Sequence, residues 1–464
     1  MDTHGYVALI SEGRFGEALE LIMERNPFPS VCGRICTNPC ELKCRRGETD
    51  DPIAIRLLKR FVSDLEKPSL LLHQVNQKGG RVAIVGSGPT GLTAAYHLTR
   101  MGHRATIFEA LPKVGGMMTI CIPEYRLPKG VLEAEIDVIR DLGVEIRTNK
   151  KMGEDFTLDD LFGQGYAAVY LSVGAQKSRS MGILGEELGG VYQGIGFLKG
   201  LNLGDEVKLG DKVAVIGGGD VAIDSARSAV RLGAREVTLF YRRGREDMTA
   251  TDEEVAEAIE EGVRFHYMTL PTRIFGDNGK ATWMECIRME GGEFDTSGRR
   301  RPVPVEGTGF VVDVDSVIIA IGQTTDLSFL NPENRLEISS SGTLLVDPDT
   351  LQTSDERVFA GGDLVRGPST VIEAISDGIK ASMAIDKFLG GRGEIVETVR
   401  REARIGDIPF DLEAEFVEQR RVEAPVLRPD ERYGNFMEIE LGYAAENAME
   451  EARRCLHCDR KLEE

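Results

Sequence analysis

The sequence predicts an α/β protein with two Rossmann-like dinucleotide-binding domains, an N-terminal α-helical domain and a C-terminal helical tail. Three observations predict it. A strand, glycine turn, helix and second strand begin at Arg81, and the same texture begins again near Lys212. Such βαβ units build parallel sheets covered by helices. Before Arg81, Gly5 to Ile10, Phe15 to Met23 and Pro52 to Glu66 carry apolar residues at helical spacing, interrupted by a Cys/Pro/Gly segment at 32–47.

The chain has 464 residues, room for about three domains at roughly 150 residues each. Its net charge of −20 excludes a general nucleic-acid binder, which needs a basic face, and docking on an anionic membrane. One tryptophan, Trp283, and 6% aromatic residues argue against a stacking surface for sugars or single strands. No run of 18 apolar residues occurs, so no membrane insertion is expected. The start lacks a leader pattern, which points to the cytoplasm. There, eight cysteines suit metal or redox chemistry better than disulfides.

In order along the chain, Lys67-Pro68 and Lys78-Gly79-Gly80 punctuate a linker. Arg81 to Val85 is an apolar strand, Gly86-Ser-Gly88-Pro89-Thr-Gly91 a turn, Leu92 to Met101 a helix and Arg104 to Phe108 the next strand. Glycines at this spacing allow a tight turn, close backbone approach to a pyrophosphate and helix–strand packing. Glu109 ends the second strand, where an acid binds the adenosine ribose. The second unit reads Gly217-x-Gly219-x-x-Ala222, with Asp220 and Val221 inside it, and its second strand ends in Tyr241-Arg242-Arg243 with Arg245 beyond. No carboxylate stands where Glu109 does. A basic cluster there suits a 2′-phosphate and favours NADP(H), with NAD(H) the alternative. Two sites that differ in this way point to FAD in the first and a nicotinamide in the second. Gly361-Gly362-Asp363, a strand end before a helix, suits the flavin ribitol. Gly322 closes the apolar run from Ser316 and is assigned to the flavin as well. Hydride transfer between such cofactors needs no protein acid or base, so no catalytic side chain is assigned.

Cys32, Cys36, Cys40 and Cys44 recur every four residues, but Gly33, Pro39 and Gly47 oppose one long helix. Four soft ligands this close suggest a metal. The spacing suits an iron–sulfur segment better than zinc, whose cysteine pairs are usually separated by a longer loop. Cys455-Leu-His-Cys458 adds a pair at the far end, after the helical stretch 444–456. A thiol–disulfide redox pair would sit in the nicotinamide domain, where only the isolated Cys286 occurs; Cys121 is isolated too. The terminal pair is therefore expected to join the N-terminal cysteines. Six ligands exceed one cluster's four, so either two are spare or a second cluster is completed by other groups.

With these residues in view, the chain resembles the small (β) subunit family of NADPH-dependent glutamate synthase. That family includes the N-terminal half of dihydropyrimidine dehydrogenase and the large subunit of NADH-dependent ferredoxin:NADP oxidoreductase. The resemblance runs from about Asn26 to Leu389. Its marks are Cys32-Gly-Arg-Ile-Cys36 with Pro39-Cys40-Glu41 and Cys44, Ala83 to Leu92, Gly115-Gly116-Met117 with Ile122-Pro123, Ile216 to Asp220, Tyr241 to Arg243, and Phe359 to Asp363. It implies a thioredoxin-reductase-like pair of domains behind a helical iron–sulfur domain, with electrons passing between NAD(P)H and a partner through FAD and one or two [4Fe–4S] clusters. It implies that Gly115, Gly116 and Met117 line the flavin, and that Glu246 and Met248 follow the family pattern while Thr249 replaces a usual proline. The family's first cysteine group, with its C-x-x-C, is missing from the start; Ala452 to Cys458 looks like it at the other end.

The expected organisation is a helical iron–sulfur domain at 1–78, an FAD domain at 79–205 plus 325–392, an NAD(P)H domain at 206–324 and a C-terminal extension at 393–464. The expected function is an oxidoreductase subunit of a hetero-oligomer, exchanging electrons between NAD(P)H and a partner iron–sulfur protein or redox enzyme subunit. The alternatives are the small subunit of glutamate synthase itself and a non-catalytic redox-sensing or assembly scaffold.

Overall fold

A computed structural model describes residues 1–66, 79–295, 298–331, 336–397 and 418–458. The expected linker at 67–78 and parts of the C-terminal extension, 398–417 and 459–464, lie outside the described residues. Two five-stranded parallel sheets form the body. The first runs Val358–Ala360, Ala168–Leu171, Arg81–Val85, Arg104–Phe108, Glu145–Arg147. The second runs Val191–Gln193, Ser316–Ile319, Lys212–Ile216, Glu236–Phe240, Arg264–His266. Their central strands are continuous apolar runs because both faces are covered.

In the first unit, helices Pro89–Arg100, Lys129–Asp141 and Val371–Phe388 cover one face through Leu92, Tyr96, Ile136 and Ile385. Phe108, Leu161, Leu344 and Leu364 fill the other. In the second unit, helix Asp220–Arg231 brings Ala222, Ile223 and Ala226 onto one face. An antiparallel sheet of Thr269–Asp277, Lys280–Phe294, Arg300–Pro304 and Phe310–Asp313 covers the other, with Ile274, Met284 and Cys286 against Ile216 and Phe240. The sequence reading missed this sheet. Its signal was present: Asn278 and Gly279 both have positive φ in the hairpin turn, the pair that such turns prefer.

The chain crosses between the units at Lys177–Ser178, which pairs antiparallel with the returning Gln323–Thr324. The expected boundary at 205 therefore falls too late. Val191–Gln193 pairs in parallel with Ser316–Ile319, and helix Gly194–Leu203 packs Ile195, Phe197 and Leu198 into the core of the second unit.

The N-terminal helices Thr3–Ser11, Phe15–Met23 and Ile55–Leu65 enclose their own core, built on Tyr6, Leu9, Ile22 and Leu58. Between them, helix Pro29–Ile35 leans on the first unit. Phe28 and Val31 enter that unit's core, and Glu135 accepts the backbone N–H groups of Ser30 (2.5 Å) and Val31 (3.2 Å) at the helix start. The 3-10 turns Glu41–Lys43 and Arg45–Glu48 follow, with extended backbone at Cys36 and Cys44. The cysteine segment is thus broken, as Gly33, Pro39 and Gly47 led us to expect.

Residues 418–458 strap the units together. Arg432 meets Glu261 in the second unit (3.3 Å), Ile439 N–H donates to Tyr125 O in the first (3.1 Å), and Glu440 pairs with Arg56 in the helical domain (2.6 Å). Glu261, 2% exposed, also accepts Arg227 and Arg231 at 2.5–3.1 Å. Burial alone would raise its carboxyl, but the bonds from Arg231 and Arg227 outweigh it and hold it at about 2, below the ordinary 4.5. This stabilisation is present above pH 4.5 and is lost as pH falls towards 2. Glu261→Gln leaves buried guanidiniums uncompensated and is expected to cost about 3 kcal/mol. Denaturant unfolding against pH checks it: the variant should be weaker at pH 7 and lose part of the decline below pH 4.5.

Candidate functional site

Two glycine loops face outward from the ends of the two parallel sheets. In the first, each glycine has its own reason. Gly86 has φ +105°, and a Cβ there would meet Ser172 O at 2.5 Å. A Cβ on Gly91 would meet Gly86 O at 2.2 Å, so it sets how closely helix and strand pack. A Cβ on Gly88 would meet nothing within 4 Å. That open space lies at the start of helix Pro89–Arg100, whose N-terminus has no side-chain cap. Unpaired backbone N–H groups and the helix dipole make such an end a phosphate cradle.

Glu109 lies beside this cradle. It accepts Ser87 N–H (2.9 Å), the Ser87 hydroxyl and Leu111 N–H (2.8 Å). A carboxylate has about four acceptor positions, so one remains for a ribose hydroxyl. Gly115 N–H donates to Ser87 O (3.2 Å), and a Cβ on Gly116 (φ +56°) would lie 2.8 Å from Gly88 Cα. The loop of Gly115, Gly116 and Met117 therefore lies across the glycine turn, and Met117 packs against the core of the second unit. Gly362 (φ +65°) abuts Thr90, its would-be Cβ 2.8 Å from Thr90 Cγ2. Asp363 follows, its carboxylate accepting Ser369 N–H (3.1 Å) and hydroxyl (2.9 Å). Burial raises the Asp363 carboxyl, and the Ser369 bonds oppose the rise. The fold thus gathers residues 86–91, 109, 115–117 and 362–363 around one helix end. Gly322 stands at the crossover instead, its carbonyl accepting Arg179 N–H (3.1 Å).

In the second loop, a Cβ on Gly217 would meet Ala320 O at 2.2 Å, and one on Gly218 the Tyr241 ring at 2.4 Å. Gly219 precedes helix Asp220–Arg231, again without a side-chain cap. Ala222 is fully buried, and Val221 packs towards helix Gly194–Leu203. Thr249 and Ala250 N–H both donate to Gly218 O (3.1 and 3.2 Å), which lays the segment after the arginines over the loop. The arginines divide. Arg242 is exposed, Arg243 is buried against Asp295 (2.7 Å), and Arg245 pairs with Asp252.

The cysteines divide too. Cys32 is 1% exposed in the core of the first unit, its Sγ 3.9 Å from Asn26 Oδ1, and burial pushes its thiol up to about 12. Cys36 packs at the edge of that core. Cys40, Cys44 and Cys455 all pack against the helical domain's core, and Cys458 Sγ lies 3.4 Å from His4 Nε2. Among the described residues no three His, Cys, Asp or Glu side chains converge at metal-binding distance. The surroundings nonetheless fit an anionic cluster. Lys59, 2% exposed, acts electrostatically on Cys32 and Cys40. The buried Tyr6 hydroxyl lies near Cys40 and Cys36, and burial raises it well above its ordinary value. The sequence reading missed Lys59 and Tyr6, since neither stands in a motif. A crevice lined by Cys36, Arg56, Arg126, Asp220, Glu254 and Glu440 runs from the cysteine segment to the second loop.

Comparison with known proteins follows this division. Residues 80–378 match the pyridine nucleotide-disulphide oxidoreductase family, and residues 1–69 match dihydropyrimidine dehydrogenase domain II, 4Fe–4S cluster. The chain is 43% identical, over 99% of its length, to the β subunit of NADP(+)-dependent formate dehydrogenase from Moorella thermoacetica, and covers 69% of that protein. It is 36% identical, over 83% of its length, to the glutamate synthase [NADPH] small chain of Escherichia coli, covering 87% of it. Thioredoxin reductase from Lactococcus lactis shares the fold, with a TM-score of 0.52 at 22% identity, over 67% of this chain and 99% of that one.

Two substitutions probe the loops. A Cβ at Gly88 meets nothing within 4 Å, so Gly88→Val should fold and be purified with less than a tenth of the wild-type flavin; flavin content per chain checks it. Arg242→Glu tests the expectation that this exposed cation meets a 2′-phosphate. It should lower the NADPH/NADH ratio of kcat/KM by at least tenfold, whereas removing Arg243 should chiefly weaken the tie to Asp295.

Proposed function

We propose a function that starts from the chain's family: it belongs to the pyridine nucleotide-disulphide oxidoreductases, as an FAD-dependent NAD(P)H oxidoreductase with a 4Fe–4S domain. In this reading it is the electron-transfer subunit of a hetero-oligomer, exchanging electrons between NADP(H) and a partner iron–sulfur protein or redox enzyme subunit. One observation carries the reading. The cysteine-bearing helix shares a core with the flavin-type unit, through Phe28, Val31 and Cys32, while the nicotinamide-type unit offers no thiol pair among the described residues. Its Cys286 is buried and pushed up to about 12 by that burial, as is the separate, buried Cys121. An electron outlet through a disulfide in that unit therefore lacks its residues.

When bound, the nicotinamide supplies a hydride, the flavin divides that electron pair, and a [4Fe–4S] cluster carries single electrons. The protein's part is placement. Gly86, Gly88, Pro89 and Gly91 would hold the FAD pyrophosphate on the helix end, and Glu109 the ribose. Asp363 with Gly362 would hold the ribitol, and Gly115, Gly116 and Met117 would line the flavin. Gly217, Gly219, Asp220, Val221 and Ala222 would hold the nicotinamide nucleotide, with Arg242 on its 2′-phosphate. The strap holds the nicotinamide-type unit against the cysteine domain.

The formate dehydrogenase relative is named as a subunit, which supports a multi-subunit setting. No described helix is long and apolar enough to cross a membrane. A second reading, the small subunit of glutamate synthase, is favoured by the 87% coverage of the Escherichia coli chain; glutamate formation on adding a large subunit would decide for it. For the leading reading, anaerobically purified protein should contain FAD, iron and sulfide, bleach with NADPH and reduce viologen. Flavin bleaching without viologen reduction would overturn it.

A further inference from the structure

We infer that Asp295, at the corner of the antiparallel hairpin, is a specificity-determining residue: it holds Arg243 away from the coenzyme's 2′-phosphate and so limits the preference for NADP(H) over NAD(H). The inference rests on the reading above, in which Arg242 meets that phosphate, and deepens it by naming a residue outside the nucleotide motif.

The hairpin of Lys280–Phe294 and Arg300–Pro304 belongs to the sheet that covers the second unit. Its far end, where Phe294 pairs with Arg300, is fastened beside the end of strand Glu236–Phe240. Arg300 N–H donates to Asp247 Oδ1 (3.3 Å), and Asp247 O accepts the Tyr241 hydroxyl (2.8 Å). The corner itself is built on Asp295. Its N–H donates to Arg299 O (2.8 Å), and its carbonyl accepts Gly298 N–H (3.0 Å). Its Oδ1 accepts Arg299 N–H (3.3 Å), while its Oδ2 accepts Arg243 Nη2 (2.7 Å). One carboxylate oxygen thus fixes the corner, and the other takes an arginine out of the basic cluster.

The arginines at this end are engaged in different ways. Arg245 pairs with Asp252. The Arg300 guanidinium lies over the Phe294 ring, 4.8 Å from its centroid. Arg243 is buried and bound to Asp295. Arg242 alone of these is exposed and meets no carboxylate among the described residues. The hairpin therefore decides how many cations the loop offers to a ligand.

A 2′-phosphate carries about two negative charges near neutral pH and is held best by guanidinium donors. Asp295 opposes it twice. Its own charge repels the phosphate, and it occupies the guanidinium next to Arg242. The hold is made through Nη2, and the buried Arg243 Nε has no partner among the described residues. An Arg243 released from Asp295 keeps donors to spare for an anion.

The test uses the full chain with its flavin bound, and wild-type flavin content per chain reports an intact fold. Asp295→Asn keeps an acceptor for the corner and removes the charge. With viologen as acceptor, its NADPH/NADH ratio of kcat/KM should rise at least threefold, through a lower KM for NADPH. Calorimetry on the oxidised protein should show adenosine 2′,5′-bisphosphate bound at least threefold more tightly, with affinity for 5′-AMP within twofold of wild type. Asp295→Ser, a second uncharged acceptor at the corner, should give the same gain. In the Arg243→Gln/Asp295→Asn double variant both members of the pair are gone, and the ratio should return to within twofold of wild type. An unchanged or lower ratio in both Asp295 variants, or a gain that survives the loss of Arg243, overturns the inference; a lowered ratio in Arg242→Glu then leaves the 2′-phosphate reading standing. Wild-type protein that binds adenosine 2′,5′-bisphosphate no more tightly than 5′-AMP overturns both.

Discussion

The relative placement of the three parts depends on one buried carboxylate. Glu261 is held by Arg227 and Arg231 of its own unit and by Arg432 of the strap. The Arg231 guanidinium lies 3.9 Å from the Tyr125 ring of the first unit, and Arg227 lies 4.9 Å from it. Tyr125 also donates to Asp224 (3.1 Å), and the adjacent Arg126 pairs with Asp224 (2.9 Å) and Glu254 (2.7 Å). Charge so deeply buried is costly unless every member is paired. The pairing here needs residues from the flavin-type unit, the nicotinamide-type unit and the strap together. Two parallel-sheet units joined only by the crossover of Lys177–Ser178 and Gln323–Thr324 would have a narrow hinge between them; this junction closes it.

The same closure bears on how electrons can pass. Met117 and Leu111 of the first unit pack against the second unit's core, so the loop that lies across the first glycine turn also touches the second unit. On the other side, Glu438 pairs with Arg34 (2.7 Å) and Arg60 (2.8 Å), and Glu440 with Arg56. The cysteine segment is therefore held beside both nucleotide units by the strap rather than by its own short helices. An isolated helix of seven residues, as in Pro29–Ile35, is too short to be stable alone. Its order comes from Glu135 at its start and from the core it shares with the flavin-type unit.

What the sequence made legible was local. Gly86, Gly88 and Gly91 announce their turn because each steric demand lies within a few residues, and Glu109 follows from the length of one βα unit. The broken cysteine segment was legible from Gly33, Pro39 and Gly47. What it hid was long-range. Glu440 meets Arg56, and Arg454 meets Asp50, across nearly the whole chain, and no spacing rule records such partners. The strand Val191–Gln193 is short and only half-buried, so nothing in its own residues marks the sheet it joins. Arg243 illustrates the same limit within a motif. It stands in the basic cluster that suits a 2′-phosphate, yet the antiparallel sheet brings up Asp295 and engages it. Arg242, one residue earlier in the bend that follows the strand, stays exposed.

At Thr249 the chain departs from the proline that the family resemblance implies. A proline at this position would have no N–H to donate. Here Thr249 N–H and Ala250 N–H share the Gly218 carbonyl, and Tyr241 closes on the same glycine from the other side, its hydroxyl donating to Asp247 O (2.8 Å). Gly218 is thereby pinned from both sides, with no room for a Cβ. The N–H groups that follow it, at Gly219 and the first turn of helix Asp220–Arg231, are pre-set before any nucleotide arrives. Threonine thus adds a tether to the loop that proline could not make. The bond is invisible in the motif itself, because its acceptor lies thirty-one positions back along the chain.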